Sequence, residues 1–436
     1  MQEKIKRAIE IIGNSKKPVK IISHFDTDGI TSAAIFSQAL KRQKIKFSLQ
    51  VVKGLDEEII QSLPDSHLLI FLDLASGSLS SLKKKNTDII ILDHHEIIDE
   101  IPNNVLMINS IIENKENMCT AAICYLFAKT LSPENKDLAT LAVIGMVGDV
   151  HDQNLSKYYS EIIKDSETLV KKGPLIYPST RPLNKALEYS SSPFIPGVTG
   201  SYKGVIELLR EANISQENGS FKALYELSEE EVSNLTTAIL LRSTGKISTE
   251  SIIGNIYLVK FQNKLEDARE LSALINACSR MDNPEICLGF CLGSRKFKEE
   301  SEKIYREYKQ HLVSALKYIN ETEKISGKNY TIINARGNIK DTIIGTVASI
   351  ISRSPLYKEG TIIVALAHNE NKIKVSARIA GREGQNVREI LHKVVITVGG
   401  EVGGHHNAAG CLIPIEKETQ FIAELQRVLE IELVKI

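Results

Sequence analysis

The sequence contains no tryptophan, and its other aromatic residues are 13 tyrosines and 11 phenylalanines in 436 residues. No aromatic stacking platform is legible in it. It also lacks net charge, since 54 Lys plus Arg balance 54 Asp plus Glu. That balance excludes a basic nucleic-acid tail or a polybasic membrane binder as the whole protein, though not a local basic groove. Its six cysteines, at 119, 124, 278, 287, 291 and 411, form no C-x-x-C pair and are too few for a disulfide scaffold. Cys287 and Cys291 are four apart in ICLGFCLG but have no further zinc ligands nearby, so buried thiols in a reducing compartment are expected. The most apolar run, LATLAVIGMVG at 138–148, is too short to span a bilayer. The opening MQEKIKRAIEIIGNSKK reads as a charged amphipathic helix, not a leader. There is no internal repeat and no low-complexity tract. The expectation is a soluble, cytoplasmic protein with no membrane partner.

What is present points to an α/β protein. VKIIS (19–23), LLIFLD (68–73), DIIILD (88–93) and VLMIN (105–109) are short continuous apolar runs, the pattern of strands covered on both faces in a parallel sheet. TSAAIFSQALKRQ (31–43) has a helical period, and further helices are expected near 120–131 and 137–148. Pro174, Pro178, Pro182, Pro193 and Pro196 punctuate a loop-rich stretch. A mostly helical region follows, including 228–242, where Ser228 and Glu231 resemble a capping box, and 266–281. SEKIYREYKQHLVSALKYI (301–319) is an amphipathic helix that either connects two domains or packs on its own domain. NYTIINA (329–335), TIIVALA (361–367) and KIKVSARIA (372–380) read as strands, and 385–395 and 417–432 as helices. The expected plan is an N-terminal α/β domain with a parallel sheet at 1–185, a mostly helical middle region at 186–324 and a smaller C-terminal α/β domain at 325–436.

Acids and histidines gather where the expected strands end. SHFDTDG supplies His24, Asp26 and Asp28, FLD supplies Asp73, LDHH supplies Asp93, His94 and His95, and GDVHD supplies Asp149. In open parallel sheets ligands bind outside the carboxyl ends of the strands, so these residues can converge although they lie far apart in sequence. Carboxylates crowded in one cleft raise one another's pKa unless cations sit among them. Mixed carboxylate and imidazole donors suit Mn²⁺, with Mg²⁺ as a substitute. Two such ions are the usual apparatus of phosphoryl displacement. Any one of these residues alone reads as a cap, turn or surface residue. Four segments with matching chemistry at equivalent positions favour a metal site. Asp93, His95 and Asp152 are read as residues that orient ligands, and His151 as incidental.

HFDTDGITS, FLD, ILDHH and GDVHD, in that order, resemble the motifs of the DHH phosphoesterase superfamily. VGGHHNAAG (402–410) resembles the glycine-rich motif of its associated C-terminal domain, with Val402 in place of the usual first glycine. TRPLNKALEYSSSPFIPGVTG (180–200) and LINACSRMDNPEICLGFCLG (274–293) are similar to the archaeal RecJ-like branch of single-strand exonucleases. The resemblance implies two divalent ions, Mn²⁺ preferred. It gives His24, Asp26 and Asp73 to one ion and Asp28, Asp73, His94 and Asp149 to the other, with His95 facing the scissile phosphate. Asp73, His94, His95 and Asp149 are then the catalytic set. It implies further that Gly403, Gly404, His405 and, at a strand end, Arg378 bind substrate phosphate, with Arg382 a weaker candidate. Lys83-Lys84-Lys85 and Arg295-Lys296 read as solvated faces.

The implied activity is hydrolysis of single-stranded DNA, 5′→3′, to nucleoside 5′-monophosphates in replication or repair. Alternatives are a 3′→5′ exonuclease on RNA, a short-oligonucleotide hydrolase, and a replisome scaffold. Archaeal relatives associate with the GINS complex and so with the replicative helicase. Eukaryotes have a helicase subunit with a decayed DHH domain.

Overall fold

Five apolar segments pair in parallel to build the first sheet: β1 (Val19–His24), β2 (Phe47–Val52), β3 (Leu68–Leu72), β4 (Ile89–Asp93) and β5 (Val105–Asn109), in the order β2-β1-β3-β4-β5. The computed structural model describes residues 1–434 except 98, 115–117, 151–154, 191, 192, 194, 243–251, 355 and 382, with backbone only at 114, 401 and 432–434. It divides into two compact units, Met1–Tyr305 and Arg306–Ile436.

Side chains of the first sheet alternate between two cores. Ile21, Ile70, Leu72, Ile90 and Leu92 pack with the helices Gln2–Asn14, Thr27–Arg42, Thr120–Leu131 and Ala139–Gly148, while Ile22, Leu69, Phe71, Ile89 and Ile91 face the opposite layer. Burial on both faces is why these strands read as unbroken apolar runs. The chain leaves β1 toward β2 on one side and returns to β3 on the other, so the strand order reverses between β1 and β3. That is the position at which α/β sheets leave a crevice at their carboxyl ends.

The middle of the first unit is helical, as expected, and the Ser228–Glu231 capping box is present: Ser228 N–H donates to Glu231 Oε2 at 2.8 Å and Glu231 N–H to Ser228 Oγ at 3.2 Å. Running through it is a three-stranded antiparallel sheet not anticipated from the sequence, β6 (Leu169–Pro174), β7 (Ile253–Phe261) and β8 (Lys264–Asp267), in the order β6-β7-β8. β7 sends Tyr257 and Val259 into the core of the α/β domain and Ile256 and Leu258 into the core of the middle region.

The helix Arg295–Glu321 crosses the division between the units. Ile304 joins the first core, and in the second unit the Tyr308 hydroxyl donates to Thr346 Oγ1 at 3.2 Å. The second unit holds a mixed sheet of β9 (Ile325–Ser326), β10 (Tyr330–Asn334), β11 (Ile362–Asn369), β12 (Lys372–Ile379), β13 (Glu401–His405) and β14 (Ala408–Pro414), in the order β13-β14-β12-β11-β10-β9. Only β10 and β11 run parallel. One face packs on the helices Val387–Val398 and Glu418–Val434. Among the described residues no helix is long and apolar enough to cross a membrane.

Candidate metal centre

The turn after β1 is built by Asp26, which caps the helix Thr27–Arg42 by accepting the Gly29 N–H at 3.0 Å. Gly29 is required by sterics, because a Cβ there would lie 2.2 Å from the His24 carbonyl oxygen. The turn places His24 Nδ1 3.2 Å from Asp26 Oδ1 and 3.2 Å from Asp73 Oδ2. Asp73 follows β3 with φ 62°, a left-handed conformation that costs a non-glycine residue energy and that functional sites retain.

On its other oxygen, Asp73 Oδ1 lies 3.4 Å from His94 Nε2. The same nitrogen is 3.3 Å from Asp149 Oδ2 and 3.9 Å from Asp28 Oδ2. Asp149 ends the helix Ala139–Gly148. Asp28 lies in the first turn of its helix and receives two N–H groups, from Thr120 at 2.7 Å and Ala121 at 2.8 Å, at the start of the helix Thr120–Leu131. These N–H groups have no partner within their own helix, and a carboxylate at that end is stabilised by the helix dipole.

Three sets of donor atoms, each within 4.8 Å of one another, result: His24, Asp26 and Asp73; Asp28, His94 and Asp149; and Asp73, His94 and His95. All the described acids and histidines expected at the strand ends except Asp93 enter these sets, with Asp73 and His94 each in two. Asp93 takes a different role. It is fully buried, and its Oδ1 accepts the His94 N–H at 2.8 Å and meets His95 Nδ1 at 2.7 Å, while Oδ2 accepts the Ser76 N–H at 3.1 Å. His95 is half-exposed. Asp152, His151 and Arg382 lie outside the described residues.

The electrostatics of the cluster suit cations. Burial opposes charge on His94, but the hydrogen bond to Asp73 and the charges of Asp28 and Asp149 push its pKa up to about 11. Burial, then the charges of Asp73 and Asp149, hold the Asp28 carboxyl well above its ordinary value. His24 is raised as well, since Asp26 and Asp73 outweigh the burial that opposes its charge. Without a metal, protons on imidazoles supply the positive charge these carboxylates demand. Oxygen and imidazole donors in this arrangement fit divalent cations.

The expected phosphate-binding residues lie in the second unit. Arg378 of β12 and His405 of β13 both sit opposite Ala408 of β14, on one rung of the sheet. Gly403, Gly404 and His405 are exposed on the edge strand β13, and Gly404 has φ 115°, with a Cβ there 2.5 Å from the Ala408 carbonyl oxygen. The Arg378 fork is engaged within the fold: Nε donates to Ser349 Oγ at 2.9 Å, and Nη1 to the Ala377 and Ala409 carbonyls at 2.8 and 3.3 Å. Bidentate phosphate pairing would compete with these bonds.

Two residues at the site were not picked out from the sequence. Thr120 contacts both Asp28 and Asp73, its hydroxyl donating to Asp73 Oδ1 at 3.1 Å. Asn276 accepts the Thr27 N–H at 3.1 Å beside the Asp26–Asp28 turn. A signal for Thr120 exists in hindsight. Its helix begins after Cys119, which makes no side-chain cap, so the leading N–H groups need an acceptor from elsewhere.

Three family models match the chain: the N-terminal domain of the DHH family over residues 18–146, the DHH-CID domain over 176–254 and the DHHA1 domain over 327–430. The chain thus carries DHH, DHH-CID and DHHA1 domains in that order. An uncharacterized protein of Methanocaldococcus jannaschii is 26% identical over 447 residues, covering 98% of this chain and 97% of the relative. The single-stranded-DNA-specific exonuclease RecJ of Bacillus subtilis is 24% identical over 175 residues, covering 35% of this chain and 21% of RecJ. Among solved structures, RecJ from Thermus thermophilus in complex with Mn²⁺ matches with TM-score 0.63 at 15% identity, over 98% of this chain and 54% of that one. The same protein has also been solved with Mg²⁺. CDC45 from Entamoeba histolytica matches with TM-score 0.64 at 12% identity, over 98% of both chains. These structural likenesses are likenesses of fold.

Proposed function

We propose that the chain is a metal-dependent exonuclease that hydrolyses phosphodiester bonds of single-stranded DNA, 5′→3′, to nucleoside 5′-monophosphates, in replication or repair. The observation that carries this reading is Asp73, which turns Oδ2 toward His24 and Oδ1 toward His94 and so belongs to two adjoining donor sets. His24, Asp26 and Asp73 would hold one divalent cation, and Asp28, Asp73, His94 and Asp149 a second, with Mn²⁺ preferred over Mg²⁺. Bound there, the ions would supply a nucleophile from water at neutral pH and positive charge for the phosphate oxygens.

The chain's own residues do the rest. Asp93 fixes the His95 ring through Nδ1, which leaves the far nitrogen to hydrogen-bond a phosphate oxygen as negative charge builds on it. His94, held between Asp73 and Asp149, keeps its position by ion pairing, and on holding a cation it would give up its proton to solvent. In the second unit, His405, Gly403, Gly404 and Arg378 would hold a substrate phosphate or the chain end.

A second reading, a replisome scaffold that binds GINS and the replicative helicase, draws on the likeness to CDC45 over nearly all of both chains. The complete donor sets favour an enzyme. The test compares Mn²⁺-dependent hydrolysis of a long 5′-labelled DNA strand, the same strand as RNA, a dinucleotide and pyrophosphate, with one end of each strand blocked in turn. Hydrolysis of the DNA strand from its 5′ end is expected. Cleavage of the dinucleotide or pyrophosphate alone would refute the exonuclease reading, and no hydrolysis of any substrate would favour the scaffold.

A further inference from the structure

We infer that Thr120 is a positioning residue that holds the two donor sets in register, acting through the shared Asp73 and through Asp28. The inference rests on the metal-centre reading above and deepens it.

Thr120 is fully buried and lies 47 positions from Asp73 and 92 from Asp28 in sequence. Its hydroxyl has one hydrogen, and Asp73 Oδ1 accepts it at 3.1 Å. Its backbone N–H goes to Asp28 Oδ2 at 2.7 Å. One residue therefore grips Asp73, which lies in the groups of His24 and Asp26 and of His94 and His95, and Asp28, which lies in the group of His94 and Asp149.

Thr120 is itself held in place. The preceding N–H, of Cys119, donates to the Tyr159 phenol oxygen at 2.7 Å. One residue earlier, Met118 and the Ser110 hydroxyl bond reciprocally, both at 3.1 Å. The Asp73 backbone is likewise constrained, by its left-handed conformation and by its N–H to the Leu92 carbonyl at 3.0 Å. A fixed backbone leaves the two side-chain torsions of Asp73 to set where its oxygens point, and His24, His94 and Thr120 are the groups that hold them. The observed orientation turns one oxygen of Asp73 toward His24 and the other toward His94. The Thr120 hydroxyl, on the Oδ1 side, opposes rotation away from it. Partners that orient metal ligands commonly contribute one to two orders of magnitude in affinity.

Thr120→Val removes the hydroxyl, nearly preserves the shape and leaves both backbone N–H bonds to Asp28 intact. The test is Mn²⁺ titration of the full chain by calorimetry, with electron paramagnetic resonance to register paired ions. The wild type should bind two Mn²⁺ and give the spectrum of a coupled pair. Thr120→Val should keep one binding step, weaken the other by at least about tenfold and lose the coupled spectrum. Thr120→Ser, which keeps the hydroxyl, should restore both. If Thr120→Val does not fold by circular dichroism, Thr120→Ala against Thr120→Ser makes the same comparison. In an Asp73→Ala background, which removes the acceptor, loss of the hydroxyl should have no further effect on Mn²⁺ binding.

Two coupled Mn²⁺ at wild-type affinity in folded Thr120→Val would overturn the inference and leave the exonuclease proposal standing. A wild type that binds a coupled pair of Mn²⁺ but cleaves no strand would do the reverse. A wild type that binds no pair would overturn both.

Discussion

Asp93 Oδ1 lies 2.7 Å from His95 Nδ1, two residues along the chain, and the same oxygen accepts the His95 backbone N–H at 3.3 Å. Burial opposes charge on Asp93, yet the His95 hydrogen bond and charge hold its pKa at about 2. The pair is therefore an oriented imidazole, and Asp93 itself belongs to none of the three donor sets.

Asp93→Asn keeps the shape and removes the charge. Hydrolysis of single-stranded DNA should fall by about 10–100-fold in kcat while the number of bound Mn²⁺ is unchanged. Steady-state kinetics with calorimetry check this. An unaltered kcat would show that His95 orientation does not enter the rate.

The pH response of the metal-free protein follows from the histidines. His94 is raised from 6.5 to about 11 in the folded chain, and His24 is raised in the same direction. A raised pKa means the folded state binds more protons than the unfolded one, so this stabilisation is fully present below pH 6.5 and is lost as pH rises toward 11. Chelator-treated protein should lose thermal stability across that window. Cations displace these protons, so Mn²⁺ binding at pH 7 should release protons, measurable as a dependence of calorimetric heat on buffer ionisation enthalpy.

Gly29→Ala places a Cβ 2.2 Å from the His24 carbonyl oxygen, which is backbone and cannot rotate away. Denaturant unfolding should show a loss of about 1–3 kcal/mol, and Mn²⁺ affinity should fall because the same turn presents Asp26 and Asp28. By contrast, Asp137→Asn on the exposed Arg42–Asp137 pair, 2.7 Å apart, should change stability by no more than about 1 kcal/mol.

The structure explains which features were legible in the sequence. β1, β3, β4 and β5 stood out because burial on both faces leaves unbroken apolar runs. β2 was missed because it is an edge strand whose side chains alternate between half-buried and exposed up to Val52. β6 was missed for a similar reason, with Leu169 and Val170 both exposed and a proline ending it. The acids and histidines at the strand ends were legible because parallel topology fixes where such ends meet. Thr120 was not, because its meaning depends on two carboxylates that only tertiary packing brings to it. Arg378 read as a phosphate ligand, yet Ser349 on the helix Asp341–Ser352 accepts from its Nε.

His405→Ala tests the second unit. The residue is exposed on an edge strand, so the fold should tolerate the change. KM for long single strands should rise, with Mn²⁺ binding unaltered. Unchanged KM would remove His405 from the substrate path.

The central claim is that Asp73 serves both donor sets. Asp73→Asn is the sharper variant, because asparagine tolerates the left-handed backbone at φ 62° better than alanine and can still accept the Thr120 hydroxyl. The measurement is Mn²⁺-dependent release of nucleotides from a 5′-labelled single strand by Asp73→Asn, with folding verified by circular dichroism. Cleavage should fall to background in a folded protein. Cleavage at the wild-type rate would contradict the account.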